Sequence, residues 1–138
     1  MTKMKKTLLF PMMVLGSLLM LAACTESFED RCRREAREYT ERMCPRVIAE
    51  YTMIDSMVFV EEPIGFTYYY NVSGPLDDPE LMTDDVIEEF RNELLRNLRQ
   101  DINLKRYKER GLTFTYIYVS ATTQEHLAEA TLGPEDYN

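Results

Sequence analysis

Tryptophan is missing from this chain of 138 residues, histidine occurs once (His126), and glycine only five times. Each shortage removes a class of function. His126 has no His or Cys neighbour at ligand spacing, so a zinc-type centre has no donor set and no metal site is expected. A nucleophilic pair would have to join His126 to Cys32 or Cys44 and would need an activated, partly exposed thiol; nothing in the spacing supplies one. There is no glycine-rich phosphate loop. Asp77, Asp78 and Glu80 lie close enough for loose calcium contact but lack the EF-hand spacing. No cofactor is expected, and no catalytic constellation assembles, so the chain reads as a non-enzyme. Beyond residue 23 no apolar run reaches the roughly 18 residues that suggest a membrane span. Low-complexity stretches and long Gly/Ser linkers are lacking too.

What the chain has in excess is acid. All 24 Asp and Glu lie after residue 23, whereas three of the 16 Lys and Arg (Lys3, Lys5 and Lys6) lie before it, leaving 13 cations and a net charge of −11 in residues 24–138. Such a surface is repelled by nucleic acid and by anionic headgroups, which excludes both as partners held by charge. Cys32 and Cys44 fall on one expected helix, where 12 residues span ~18 Å. A disulfide requires Cα atoms within about 7 Å, so the two are expected to stay unjoined.

The amino-terminal segment has three parts in order: the basic Lys3, Lys5 and Lys6, an apolar run from Leu8 to Ala23, and the ending Leu21-Ala22-Ala23-Cys24. The run is short for a helix that must cross ~30 Å of hydrocarbon, and the pattern is that of a secretory signal. Its ending resembles the lipobox of bacterial lipoproteins. The resemblance covers residues 1–24. It implies a signal peptide over residues 1–23, a diacylglyceryl group on the Cys24 thiol, cleavage before Cys24, and acylation (palmitate or similar) of the new amino group. Two or more acyl chains hold a protein stably on a membrane without spanning it. Residue 25 is Thr rather than the Asp that retains some lipoproteins at the inner membrane, so the outer membrane is the expected address, on its periplasmic or its surface face. Glu29-Asp30 loosely resembles an acidic surface-export signal but better suits the first turn of a helix.

Residues 24–138 are expected to form one small domain. Phe28, Cys32, Ala36, Tyr39 and Met43 make a narrow apolar stripe on a helix over 26–44, ended by Pro45. Strands are expected over about 51–61 and over 64–72, where Ile64, Phe66, Tyr68, Tyr70 and Val72 alternate with smaller or polar residues. Thr83 caps a second helix whose apolar face is Ile87, Phe90, Leu94, Leu98 and Ile102, weakening near Asp101 and stopping at Gly111. Strands over 112–119 and 126–132 follow, the first carrying Leu112, Phe114, Tyr116 and Tyr118 on one face, and a short tail closes the chain. The order α-β-β-α-β-β predicts an α+β two-layer sandwich: a four-stranded, mostly antiparallel sheet with two helices on one face.

Phe66-Thr67-Tyr68-Tyr69-Tyr70 echoes Phe114-Thr115-Tyr116-Ile117-Tyr118. Two readings stand. The aromatic residues are cross-strand packing, worth ~0.2–1 kcal/mol per pair, or Tyr68, Tyr70, Tyr116 and Tyr118 form a platform for a glycan, peptide or other small ligand. The lack of Trp weighs modestly against a sugar platform. Asp55-Ser56-Met57 resembles a three-residue O-glycosylation motif of exported Bacteroidota proteins, with Ser56 as acceptor, and Asn71-Val72-Ser73 has the N-glycosylation pattern. The leading expectation is a non-enzymatic lipoprotein of the cell envelope, membrane-bound through Cys24, that binds another envelope protein or serves as an accessory subunit. The alternative is a small-ligand or glycan receptor using the four tyrosines.

Overall fold

The computed structural model describes residues 25–138, so Cys24 and the signal segment lie outside the described residues. The described residues divide into two units, 25–31 and 32–138. In the first, Ser27 Oγ accepts from Asp30 N at 3.1 Å, and Arg31 pairs with Glu26 at 3.9 Å. Helix α1 covers Phe28–Met43.

The second unit is built on a mixed sheet of five strands in the order β1-β2-β3-β4-β5. These are β1 Arg46–Ala49, β2 Thr52–Glu61, β3 Ile64–Val72, β4 Thr113–Ser120 and β5 His126–Leu132. Between β3 and β4 come two 3-10 turns, Gly74–Leu76 and Pro79–Leu81, helix α2 (Asp84–Gln100), a third 3-10 turn (Ile102–Leu104) and the short helix α3 (Lys105–Glu109); helix α4 (Pro134–Tyr137) ends the chain. No helix among the described residues is long and apolar enough to cross a membrane.

The expected α+β class holds, with four helices among the described residues in place of the two expected and with three further corrections. The sheet has five strands, not four. Strand β1 pairs antiparallel with β2, yet all four of its residues are exposed, so it carries no alternation to betray it. The sheet is also less antiparallel than expected. β3 and β4, at its centre, run parallel, Phe66 opposite Phe114, Tyr68 opposite Tyr116 and Tyr70 opposite Tyr118. A parallel pair needs a long crossover, which the segment containing α2 supplies. Third, Ile102 leaves the apolar face of α2, because the helix ends at Gln100 and the following turn carries Ile102 into solvent, 82% exposed.

The core lies on the helix-bearing face of the sheet, around Phe66, Leu98, Leu112, Phe114 and Leu132. Thr83 Oγ1 caps α2 by accepting from Val86 N. α1 is fastened by Thr40, whose hydroxyl both accepts from Met57 N and donates to Met57 O, at 2.9 Å each. β1 pairs only with residues 52–54 of β2, so this threonine satisfies strand groups that would otherwise form an open edge. Cys32 is buried and Cys44 half-buried, and no disulfide joins them. The carboxyl end, which the sequence suggests is a short tail, is packed. Tyr137 is buried with its ring against Phe114, and its hydroxyl donates to Leu112 O at 2.9 Å.

Asp136 clamps that end. Its carboxylate accepts from Gly133 N and from Arg91 Nη2, each at 2.9 Å, and these bonds hold its pKa below the usual carboxylate value. A lowered folded-state pKa stabilises the fold above the unfolded value of about 3.9, and that share is lost as pH falls through the folded pKa. Because the pair is partly solvated, Asp136→Asn is expected to cost no more than about 1 kcal/mol at pH 7 and progressively less as pH falls through the folded pKa, checked by urea unfolding across that range.

Candidate functional site

The parallel pairing explains why one aromatic pattern occurs twice. Side chains two apart on a strand share a face, and in-register parallel neighbours share it side by side. The two tyrosine pairs thus form one block. Tyr70 and Tyr118 stack at 4.7 Å and 11°, Tyr68 and Tyr116 at 5.3 Å and 17°, and Tyr70 and Tyr116 at 6.4 Å and 16°. Phe90 of α2 closes one end, edge-on to Tyr118 at 4.7 Å. Each good aromatic pair adds about 0.5–1.5 kcal/mol beyond its buried area.

These rings face the helices, and Tyr70, Tyr116 and Tyr118 are buried while Tyr68 is half-buried. The packing reading of the tyrosines therefore holds for the rings. It does not hold for the hydroxyls. The four residues floor a cleft of about 780 Å³ bounded by Glu35 and Tyr39 of α1 and by Leu94 and Asn97 of α2. None of the four hydroxyls has a hydrogen-bond partner among the described residues, and no side chain there hides an unpaired polar atom from solvent. Strand side chains stand roughly perpendicular to the sheet. The hydroxyls therefore rise from the stacked rings and open into the cleft.

The electrostatics keep them neutral. Burial, reinforced by neighbouring phenols and by Asp101, pushes the phenols of Tyr68 and Tyr116 well above the ordinary tyrosine range, and burial does the same at Tyr70 and Tyr118. Each remains an O–H that can donate and accept. At one end of the cleft Arg106 Nη2 donates to Glu35 Oε1 at 2.7 Å and to the Tyr107 hydroxyl at 2.6 Å, and Tyr107 in turn donates to Glu35. Burial first, then the Glu35 contact, lifts the Tyr107 pKa to about 12 against the opposing pull of Arg106. Arg46, on the edge strand, donates to the Tyr39 hydroxyl at 3.1 Å. Glu35 and Asp101 balance Arg46 and Arg106, so these four charges sum to zero across the lining. A neutral, hydroxyl-rich floor with balanced charges suits a polar, uncharged ligand more than an ion.

The remaining candidate residues lie elsewhere. Ser56 sits within β2 opposite Tyr69, half-buried on the other face of the sheet. His126 begins β5, exposed, its Nε2 3.2 Å from Glu129 Oε2. Asp77 accepts from Thr122 N at 3.3 Å, and Asp78 caps its own 3-10 turn by accepting from Glu80 N. Among the described residues no cluster of three or more His, Cys, Asp or Glu is placed to hold a metal. Sequence reasoning missed Glu35, Arg106 and Tyr107. Their separation of about seventy positions gives no local spacing to notice.

A Pseudomonas aeruginosa protein inferred to be secreted is similar in structure, with a TM-score of 0.64 and 17% identity over 83% of this chain and 100% of its own. At that identity the likeness extends to the fold alone. No curated protein matches the chain. Residues 27–128, from the start of α1 into β5, match the family model described as a domain of unknown function, DUF8479, and the chain belongs to that family.

Proposed function

We propose that this protein is a lipid-anchored, non-enzymatic binding protein of the bacterial envelope. Cys24 holds it at the outer membrane, and its folded domain takes a small, polar, uncharged ligand in the tyrosine-floored cleft. The observation that carries the reading is the row of four tyrosines, three buried and Tyr68 half-buried, whose hydroxyls have no partner among the described residues. A purely structural aromatic block has no use for four hydroxyls, since none of them bonds within the fold and Phe would pack as well. The cleft volume lies within the range of small-molecule sites. The mode of recognition follows from the stacking. With the tyrosine faces covered by one another, a sugar ring has no flat surface to lie on, and the hydroxyl tips are left to bond its hydroxyl or amide groups. This receptor role is favoured over an accessory role without a ligand.

The test is native mass spectrometry of the protein extracted in mild detergent from its own membranes. A bound mass that survives gentle extraction and leaves on denaturation is expected, and Tyr68→Phe/Tyr116→Phe should lower its occupancy at least tenfold. An identical set of bound masses on the variant, or none on the native protein, would overturn the reading.

A further inference from the structure

At the carboxyl ends of β3 and β4 lies a second space of a different kind. It is a pocket of about 180 Å³ beneath the first turns of α2, whose lining includes Val72, Leu76, Met82, Val86, Phe90 and Tyr118. Its wall is almost wholly hydrocarbon. An apolar wall of this extent favours apolar guests, because water against it lacks the two to four polar partners it needs. The wall atoms meanwhile lack contacts that a guest would restore. Met82 is half-buried, and its flexible thioether lets the wall adapt to an occupant. Apolar side chains surround the pocket on the outside too, with Leu76, Leu81 and Val86 each more than two-fifths exposed.

Two further observations narrow the guest. Asp84, Asp85, Glu88 and Glu89 are all exposed on the turns of α2 that carry Val86 and Ile87, so an anionic head is disfavoured there. Tyr118 belongs to both spaces, since it lines the pocket and the cleft alike. A molecule with its chain in the pocket would bring its first polar atoms toward the bare phenols.

We propose that this pocket is a binding site for the alkyl chain of a neutral amphiphile. The placement of the polar head rests on the cleft reading; the alkyl site itself does not. Methionine methyls separate the two, because Met82 lines the pocket and not the cleft, and Met57 the cleft and not the pocket. The full lipidated protein, carrying 13C-methyl methionine in lipid nanodiscs, would be titrated with 1-hexanol and, separately, with hexanoate. Hexanol is expected to shift the Met82 methyl saturably, and hexanoate to need at least tenfold more. Val86→Trp and Leu76→Trp, both at the exposed rim, should each abolish the Met82 shift while leaving the Met43 and Met53 signals in place. No saturable Met82 shift in the native protein, equal affinity for hexanoate, or binding that survives both tryptophans would overturn the proposal. A shift at Met57 in place of Met82 would overturn it as well, by sending the chain to the cleft. Saturation at Met82 supports the alkyl site even if the tyrosine-to-phenylalanine variant keeps its bound mass, in which case only the cleft reading fails.

Discussion

Serine in place of Cys24 is expected to leave the protein uncut and without lipid, an all-or-none change. The lipobox chemistry that Leu21-Ala22-Ala23-Cys24 resembles begins with a thioether on the cysteine, and the cleavage that removes residues 1–23 follows it. A serine hydroxyl is not a thiolate nucleophile, so neither step proceeds. The native protein should take up radiolabelled palmitate, migrate shorter than its precursor by 23 residues, and stay with membranes through a high-salt wash, since multiple acyl chains bind a bilayer stably and without help from charge. Salt resistance matters here because residues 24–138 carry a net charge of −11 and have no electrostatic hold on an anionic membrane. The Cys24→Ser protein should take up no label and keep its signal segment. A variant that matures and fractionates like the native protein would remove the anchor from the account.

The second large effect lies at Gly65, where the central parallel pair begins. A Cβ built there would sit 1.8 Å from the carbonyl oxygen of Thr113, its partner in β4, and 2.7 Å and 2.9 Å from the carbonyl carbon and nitrogen of that residue. All three are backbone atoms, so no side chain can swing aside. Gly65→Ala has to push the strands apart one residue before Phe66 and Phe114, both almost fully buried. Over-packing of this kind costs ~1–3 kcal/mol and occasionally more. With relief available only by breaking the ladder, about 3 kcal/mol is expected, a lowering of Tm by roughly 10–15 °C for a domain of this size. Thermal unfolding followed by circular dichroism measures it, and a change below about 2 °C would mean that β3 and β4 are not paired in this register.

Gly65 also marks the limit of what the sequence discloses. α1 and strands β2 to β5 are legible because each has a face, with Cys32 and Ala36 on the helix and the alternation from Phe66 to Val72 and from Phe114 to Tyr118 on the strands. The 3-10 break after Asp101 and the stop at Gly111, whose φ is +74°, follow from local chemistry as well. β1 is not legible because an exposed edge strand of four residues has nothing to alternate against. The direction of β4 relative to β3 is a tertiary fact, yet the repeated aromatic pentad runs in the same order in both strands, as parallel neighbours in register require. The rings of the candidate site were legible for the same reason. The rest of it was not, because Glu35, Arg106 and Tyr107 meet only when α1 and α3 are folded against the sheet. Tyr137, one residue from the end of the chain, shows no period at all and is identified as core only by the ring and two carbonyls it touches.

The central claim is that Tyr68, Tyr70, Tyr116 and Tyr118 keep their hydroxyls for a ligand and not for the fold. It is tested most directly by the stability of the variant in which all four become phenylalanine, set beside Tyr137→Phe. Removing a hydroxyl that has no protein partner costs no hydrogen bond, whereas Tyr137 loses its bonds to Leu112 O and Lys108 O, worth about 1–2 kcal/mol together. In the absence of ligand the fourfold variant is expected to unfold at the same Tm as the native domain or a few degrees above it, and Tyr137→Phe roughly 4–8 °C below. If the fourfold variant falls as far as Tyr137→Phe or further, the four hydroxyls are holding the structure together and the cleft is not a binding site.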